Sequence, residues 1–178
     1  MNSSKVFYLF FTLSIVLIFS HSLIPASCKS LYESVCEDTL HANKAPCIKL
    51  LKANPKMVSA KTYIDLANLI LDLAINKATE GQHSISGFMS KNPPQAIQKC
   101  ATTLYNGSIS SFKKAKSGLV KDPITASYDA RVAGDGPDYC ADAIKEANIN
   151  DPAIIYINKN VLLLSDIASI AARKLVKV

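Results

Sequence analysis

The sequence predicts an all-α protein: an antiparallel four-helix bundle preceded by a short N-terminal helical hairpin and held by two disulfides. Three observations lead to this fold class. Apolar residues recur every three or four positions over long stretches, the period of an α-helix with one buried face. No stretch shows the period-2 alternation between turn residues that indicates a β-strand. Four of the five cysteines, an even number, lie after residue 28.

Residues 1–28 have the composition of a secretory signal peptide. Lys5 precedes an apolar run over residues 6–19, and small residues follow before a predicted cut near Cys28. The run is shorter than the roughly 20 apolar residues of a membrane anchor. We therefore expect export and cleavage, which lowers the formal net charge from +6 to +5 and the cysteine count from five to four. Residues 29–178 then have the length of one ordinary domain.

The first part of this domain, residues 29–55, is predicted to form the hairpin. Two short helices over residues 31–40 and 46–53 are joined by a turn over residues 41–45 and end at Asn54, since a residue before proline avoids the helical region. Cys36 and Cys47 flank the turn. Local closure is the easier contact to form and favours their pairing. Pairing of these two cysteines with Cys100 and Cys140 remains an alternative at this point.

Residues 56–178 are predicted to form the bundle. Its four helices cover about residues 59–88, 94–119, 122–146 and 153–176. Asp122 and Pro123 suit the cap and the first position of the third helix, and residues 134–137 (Gly-Asp-Gly-Pro) should interrupt it. Cys100 near the start of the second helix and Cys140 near the end of the third would lie level in an antiparallel pair. They are therefore predicted to form a disulfide across it.

The sequence lacks the motifs of the common enzyme classes. It contains no Gly-rich phosphate loop, nucleophile elbow or zinc-protease motif, and the cysteines are too far apart for a typical zinc site. His41 and His83 are interpreted as solvated residues of a turn and a helix end. Tyr105, Tyr128, Tyr139 and Tyr156 are interpreted as half-buried core residues. We expect neither catalysis nor a cofactor nor a metal.

Charge and hydropathy argue against nucleic acid and a membrane as partners, and contact with an acidic wall polymer stays an unspecific alternative. The lysines are not interleaved with aromatic residues, which argues against nucleic-acid binding. The last apolar stretch, residues 161–172, contains Asp166 and is too short to cross a membrane. By contrast, residues 122–146 carry an excess of acidic side chains on a basic protein, which could orient a basic partner.

Asn106 begins the glycosylation sequon Asn-Gly-Ser, although it lies within a predicted helix. We predict it as the glycosylation site of the exported chain.

Several segments together resemble the plant invertase and pectin methylesterase inhibitors. Cys47, Leu51 and Pro55 have the four-residue spacing of that family's first-hairpin exit, and the 39 residues between Cys100 and Cys140 match its second cysteine pair. Cys140-x-Asp142-x-Ile144 is similar to the family's Cys-x-Asp segment. Residues 160–175 resemble its last helix, which is rich in Asn, Leu and Ala.

The resemblance implies disulfide bonds Cys36–Cys47 and Cys100–Cys140. It also implies that the protein inhibits a cell-wall carbohydrate-active enzyme by occluding its substrate cleft, without catalysis and without a cofactor. The vacuole is an alternative location. The family's targets are pectin methylesterase and acid invertase. Invertase-type members carry a Pro-Lys-Phe motif where this chain has residues 122–125 (Asp-Pro-Ile-Thr), so pectin methylesterase is the favoured target. The interruption at residues 134–137 departs from the family's continuous helix.

The residues predicted to contact the enzyme are polar, and we expect them on the exposed side of the third bundle helix. They are Asp122, Thr125, Ser127, Asp129 and Arg131. One rival function is a carrier of small apolar ligands, which would need an internal cavity. A weaker rival is a storage protein without a partner.

Overall fold

A computed structural model describes residues 29–88 and 92–176. The predicted signal peptide and its boundary at residue 28 lie outside this range and stay predictions. Within the described residues the secondary structure is helical, without a strand, and two disulfides are present. The predicted all-α fold is therefore confirmed.

The N-terminal hairpin consists of α1 (Leu31–Glu37) and α2 (His41–Lys52). Cys36 and Cys47 are bonded, with 5.5 Å between their Cα atoms. The predicted turn over residues 41–45 is wrong, because these residues form the first turns of α2. The chain turns at residues 38–40 instead, where the Thr39 hydroxyl donates to the Cys36 carbonyl at 2.7 Å. Pro46 lies inside α2 and has no N–H to donate. The carbonyl of Ala42, four residues earlier, therefore lacks its helical partner, and Ala42 is exposed.

The first bundle helix begins later than predicted. A single turn, α3 (Pro55–Val58), is capped by the Asn54 side chain, and the chain leaves the helical conformation before α4 (Tyr63–Gly87) begins. The Thr62 hydroxyl accepts from the Asp65 N–H at 3.1 Å and caps α4. The predicted start at residue 59 missed this local cap.

The second bundle helix has a wide turn within it. It consists of α5 (Gln95–Lys99), a π-helical turn (Cys100–Leu104) and α6 (Tyr105–Gly118). The Gln82 side chain on α4 donates through Nε2 to the Ala101 carbonyl at 2.8 Å, a backbone acceptor within the π turn. The predicted range of 94–119 agrees with the three segments together, but nothing in the sequence indicated the π turn.

The third bundle helix is divided, as predicted, into α7 (Pro123–Val132) and α8 (Asp135–Glu146). The break lies at residues 133–134, however, and residues 135–137 of the predicted interruption already belong to α8. Gly134 and Gly136 lie at the division and allow close packing. A side-chain carbon on Gly134 would lie 3.1 Å from the Leu162 Cδ1 atom. The fourth helix is α9 (Pro152–Arg173), capped by Asp151, whose carboxylate accepts from the Ala153 N–H at 2.8 Å.

The core lies between these bundle helices. α9 packs against α4 and α7, and α6 packs against the same two helices, so each long helix has two neighbours. The largest fully buried side chains in the bundle are Leu66, Ile70, Leu71, Ile85, Tyr105, Phe112, Leu119, Ile154, Leu164 and Ile167. At one end the Cys100–Cys140 disulfide joins the π turn to α8, with 5.1 Å between the Cα atoms.

α9 is long and apolar enough to cross a membrane by length and composition alone. More than half of its most apolar stretch is nevertheless buried inside the protein. This burial is what a core helix of a bundle requires.

Candidate partner-binding surface

The predicted contact residues divide into exposed and buried positions on α7. Asp122 and Thr125 are exposed at its start, where they bond to each other. The Thr125 N–H donates to the Asp122 carboxylate at 3.0 Å, and the Thr125 hydroxyl donates to it at 2.6 Å. These bonds from Thr125 hold the pKa of the Asp122 carboxyl below its usual range. The first role of Asp122 and Thr125 is therefore to cap α7.

Ser127 does not lie on the exposed side, and that placement is wrong. Its side chain is 7% exposed, and its hydroxyl donates to the Ser169 carbonyl on α9 at 3.0 Å. Small residues on this side of α7, including Ala126 and Ala130, are also buried. Polarity suggested an outward position, but a hydroxyl with a buried partner suits a tight helix–helix contact equally well.

Arg131 is exposed but already has a partner within the chain. Its Nη2 lies 3.2 Å from the Asp166 carboxylate on α9, and the other carboxylate oxygen accepts from Asn43 of the hairpin at 3.4 Å. Asp166 thus links α7, α9 and α2, and it orients the Arg131 guanidinium at the surface. Asp129 is partly exposed on the same helix.

Two apolar residues of α7 are the contact candidates that sequence reasoning missed. Ile124 is 65% exposed and Tyr128 is 68% exposed. Tyr139 and Tyr156 are also exposed. The interpretation of the tyrosines as half-buried core residues is therefore wrong for Tyr128, Tyr139 and Tyr156. Tyr105 is fully buried. The missed signal was spacing: Ile124, Tyr128 and Arg131 recur at helical intervals on a face of α7 that the core does not use.

Ile124, Tyr128 and Arg131, together with Arg173 at the end of α9, form what we call the α7 face. They line a shallow groove of about 470 Å³, with Ser127 and Ser169 in its lining. Tyrosine and arginine are enriched among the residues that dominate binding energy in protein interfaces. A large apolar side chain left in water next to them is a surface suited to a protein partner.

The described residues do not assemble a metal site. They contain no group of three or more His, Cys, Asp or Glu side chains able to hold a metal ion. His41 and His83 are both exposed.

Asn106 is exposed near the start of α6, and its Oδ1 accepts from Gln82 Nε2 at 2.7 Å. The sequon serine, Ser108, is buried and hydrogen-bonds the Leu104 carbonyl at 3.2 Å. The glycan stays a prediction.

Comparison with known proteins gives the same fold. A crystal structure of a mutant form of a pectin methylesterase inhibitor from Arabidopsis is 22% identical, with a TM-score of 0.72, over 84% of this chain and 100% of the other. A crystal structure of a pectin methylesterase inhibitor from Arabidopsis thaliana is also 22% identical, with a TM-score of 0.61, over 83% of this chain and 97% of the other. No curated protein sequence matches significantly.

The family model described as plant invertase/pectin methylesterase inhibitor matches residues 22–172, a range that includes both disulfides and the bundle helices except the last residue of α9. The chain therefore belongs to the plant invertase/pectin methylesterase inhibitor family.

Proposed function

We propose that the exported chain inhibits pectin methylesterase by covering the enzyme's substrate cleft in a stoichiometric complex. The observation that carries the proposal is the α7 face, where Ile124 and Tyr128 are exposed beside two arginines. The family description names inhibitors, and both solved neighbours are inhibitors of pectin methylesterase. Pectin is a wall polymer, so the proposed site of action is the cell wall.

The α7 face has the energetic features of a binding anchor. Fully burying a side chain such as isoleucine on a partner stabilises a complex by about 1.5–3 kcal/mol. The side chains lie on a regular helix packed against α6 and α9, so little backbone ordering is needed on binding. Arg131 is held by Asp166 and loses less side-chain freedom than a free arginine would.

The choice of target rests on residues 122–125. In their place invertase-type inhibitors carry Pro-Lys-Phe, whereas this chain has the Asp122–Thr125 cap. Acid invertase is the alternative target, and both enzymes belong in the same assay.

The experiment measures the activity of purified pectin methylesterase and acid invertase with increasing amounts of the mature protein. We expect one-to-one inhibition of pectin methylesterase. Tyr128→Ala and Ile124→Ala should each weaken it by about tenfold or more, as expected for anchor residues. Tyr139→Ala is the matched control, because Tyr139 is 57% exposed on α8 and outside the α7 face.

Absence of inhibition of both enzymes at micromolar protein would refute the proposal. Inhibition of acid invertase alone would show that invertase, and not pectin methylesterase, is the target. If Tyr128→Ala and Tyr139→Ala weakened the inhibition equally, the α7 face would not be the anchor.

A further inference from the structure

A second concave surface lies between α8 and α9, and the proposed inhibitor function does not use it. It is a groove of about 460 Å³, within the size range of small-molecule sites. Its apolar walls are formed by Pro137, Ala141, Ile144, Ile149, Ile155 and Leu162. None of these residues belongs to the α7 face, so binding in this groove is independent of the proposed enzyme contact.

The groove has the dimensions of a short alkyl chain. Its α9 side extends from Ile155 to Leu162, which is about 10 Å along a helix that rises about 1.5 Å per residue. Its α8 side presents Pro137, Ala141 and Ile144 at intervals of three or four residues, on one face of that helix. A linear chain of about eight carbons would cover these walls and remove them from water.

Charged side chains at the groove favour an anionic head group. Lys145 and Lys159 line it together with one acid, Asp138, and all three are exposed. Among the described residues, none of the three is within 4.0 Å of an opposite charge. Two cations against one anion give a net attraction for a carboxylate at the groove.

A buried amide in the groove lining adds an independent observation. Asn158 is 3% exposed and lines the groove. The Tyr105 hydroxyl donates to its Oδ1 at 2.7 Å, which identifies Nδ2 as the other end of the amide. This Nδ2 is buried and has no hydrogen-bond partner among the described residues. An unpaired buried donor costs free energy. Nδ2 has almost no accessible surface, so the Asn158 side chain must turn toward the groove before a ligand oxygen can reach it and remove that cost.

From these observations we infer that the α8–α9 groove binds a medium-chain fatty carboxylate. The alkyl chain lies on the apolar walls, and the carboxylate lies near Lys145, Lys159 and Asn158. The chain then carries two separate binding surfaces, one for a protein and one for a small amphipathic acid.

The test is a titration of the mature protein with octanoate, followed by amide chemical shifts in NMR spectra, with octanol as the uncharged probe. We expect saturable shifts centred on Ala141, Ile144 and Leu162, and tighter binding of octanoate than of octanol. Ala141→Phe fills the groove and should weaken octanoate at least tenfold. Ala143→Phe is the matched control, because Ala143 lies on α8 but lines a different surface beside α5.

The charge argument is tested separately with the double variant Lys145→Gln and Lys159→Gln. It should weaken octanoate about fivefold and leave octanol unchanged, since partly exposed ion pairs contribute little each. The inference is overturned if octanoate causes no saturable shifts at the groove, if octanol binds as tightly, or if Ala143→Phe weakens binding as much as Ala141→Phe. Inhibition of pectin methylesterase, measured on the same variants, should not change.

Discussion

Gly136 on α8 lies against the backbone of Leu104, so that a side-chain carbon on Gly136 would overlap the Leu104 carbonyl oxygen and lie 3.1 Å from its carbonyl carbon. The close approach joins the two irregular features of the bundle, the division between α7 and α8 and the π turn of residues 100–104. Cys140 follows Gly136 by four residues, on the same side of α8, and bonds to Cys100 at the start of that turn. A helix carrying a larger residue at position 136 would have to move away from the disulfide.

We predict that Gly136→Ala destabilises the protein by about 3 kcal/mol, because a backbone atom cannot move aside as a flexible side chain can. The control is Gly107→Ala on α6, where an added carbon meets no atom within 4 Å. That change should stabilise the protein by up to about 1 kcal/mol, since alanine suits a helix better than glycine. Denaturant unfolding of both variants measures the difference, and an unchanged stability for Gly136→Ala would contradict the close approach.

The two disulfides should contribute unequally to stability. In the chain-entropy model, closing the longer loop between Cys100 and Cys140 contributes about 4 kcal/mol, and the shorter one between Cys36 and Cys47 about 3 kcal/mol. We therefore expect the double variant Cys100→Ala, Cys140→Ala to have the lower free energy of unfolding. Guanidinium unfolding without reductant compares the two double variants. If removing Cys36–Cys47 lowered the free energy of unfolding more than removing Cys100–Cys140, loop length would not govern the contribution of a disulfide to stability.

The buried Tyr105 predicts a loss of stability at alkaline pH. Burial raises the pKa of the Tyr105 phenol, because the phenolate would lose its hydration. The contribution to stability is complete below the pKa of the unfolded chain, about 10, and is lost as the pH rises through the folded-state pKa. Tyr105→Phe lacks this contribution and also removes the hydrogen bond to Asn158, at a cost of about 1–3 kcal/mol near neutral pH.

Urea unfolding at pH 8 and at pH 10.5 tests this expectation. The difference between the wild type and Tyr105→Phe should shrink at the higher pH. The other tyrosines are present in both proteins, so their ionisation cancels in the comparison. Differences that stay constant with pH would rule out the contribution of Tyr105.

The cap of α7 predicts the opposite behaviour in acid. Hydrogen bonds from Thr125 lower the pKa of the Asp122 carboxyl in the folded protein. The contribution of the ionised Asp122 carboxylate to stability is therefore present above the pKa of the unfolded chain, about 3.9. It is lost as the pH falls through the lower folded-state pKa. Asp122→Asn keeps an acceptor for the cap but has no charge to lose, so it should be less stable than the wild type at pH 6, and the difference should shrink as the pH falls through the folded-state pKa.

Thermal unfolding across that pH range measures the change. Asp129→Asn removes the same charge from the same helix away from the cap, and it should have a much smaller effect. A stability difference between the wild type and Asp122→Asn that did not shrink on acidification would contradict the role of the ionised cap.

Local chemistry accounts for the features that could be predicted. Asp122 followed by Pro123 predicted the start of α7, because a cap needs only a side-chain acceptor and an N–H two or three residues away. Residues 134–137 predicted the division of the third helix for a similarly local reason. Pro46 is misleading, because a proline in a helical pattern is typical of a helix start, whereas α2 contains it in the interior.

The candidate site was predictable only in part. Sequence reasoning selects the same helix that carries the proposed α7 face, but it favours the polar residues over Ile124 and Tyr128 and expects Ser127 on the outside. The spacing of Ile124, Tyr128 and Arg131 groups them on one side of α7, but whether that side faces outward depends on where α6 and α9 pack. The groove between α8 and α9 likewise forms only where these two consecutive helices and the connection between them come together.

The sequence by itself determined the helical content, the predicted export and the number of disulfides, since periodicity, apolar run length and cysteine count are local properties of the chain. Only the tertiary structure decided that Ile124 and Tyr128 are exposed, that Ser127 is buried and that a π turn faces Gly136. These features arise because packing one helix against two others selects the buried side of each and forces the backbone to adjust where they meet.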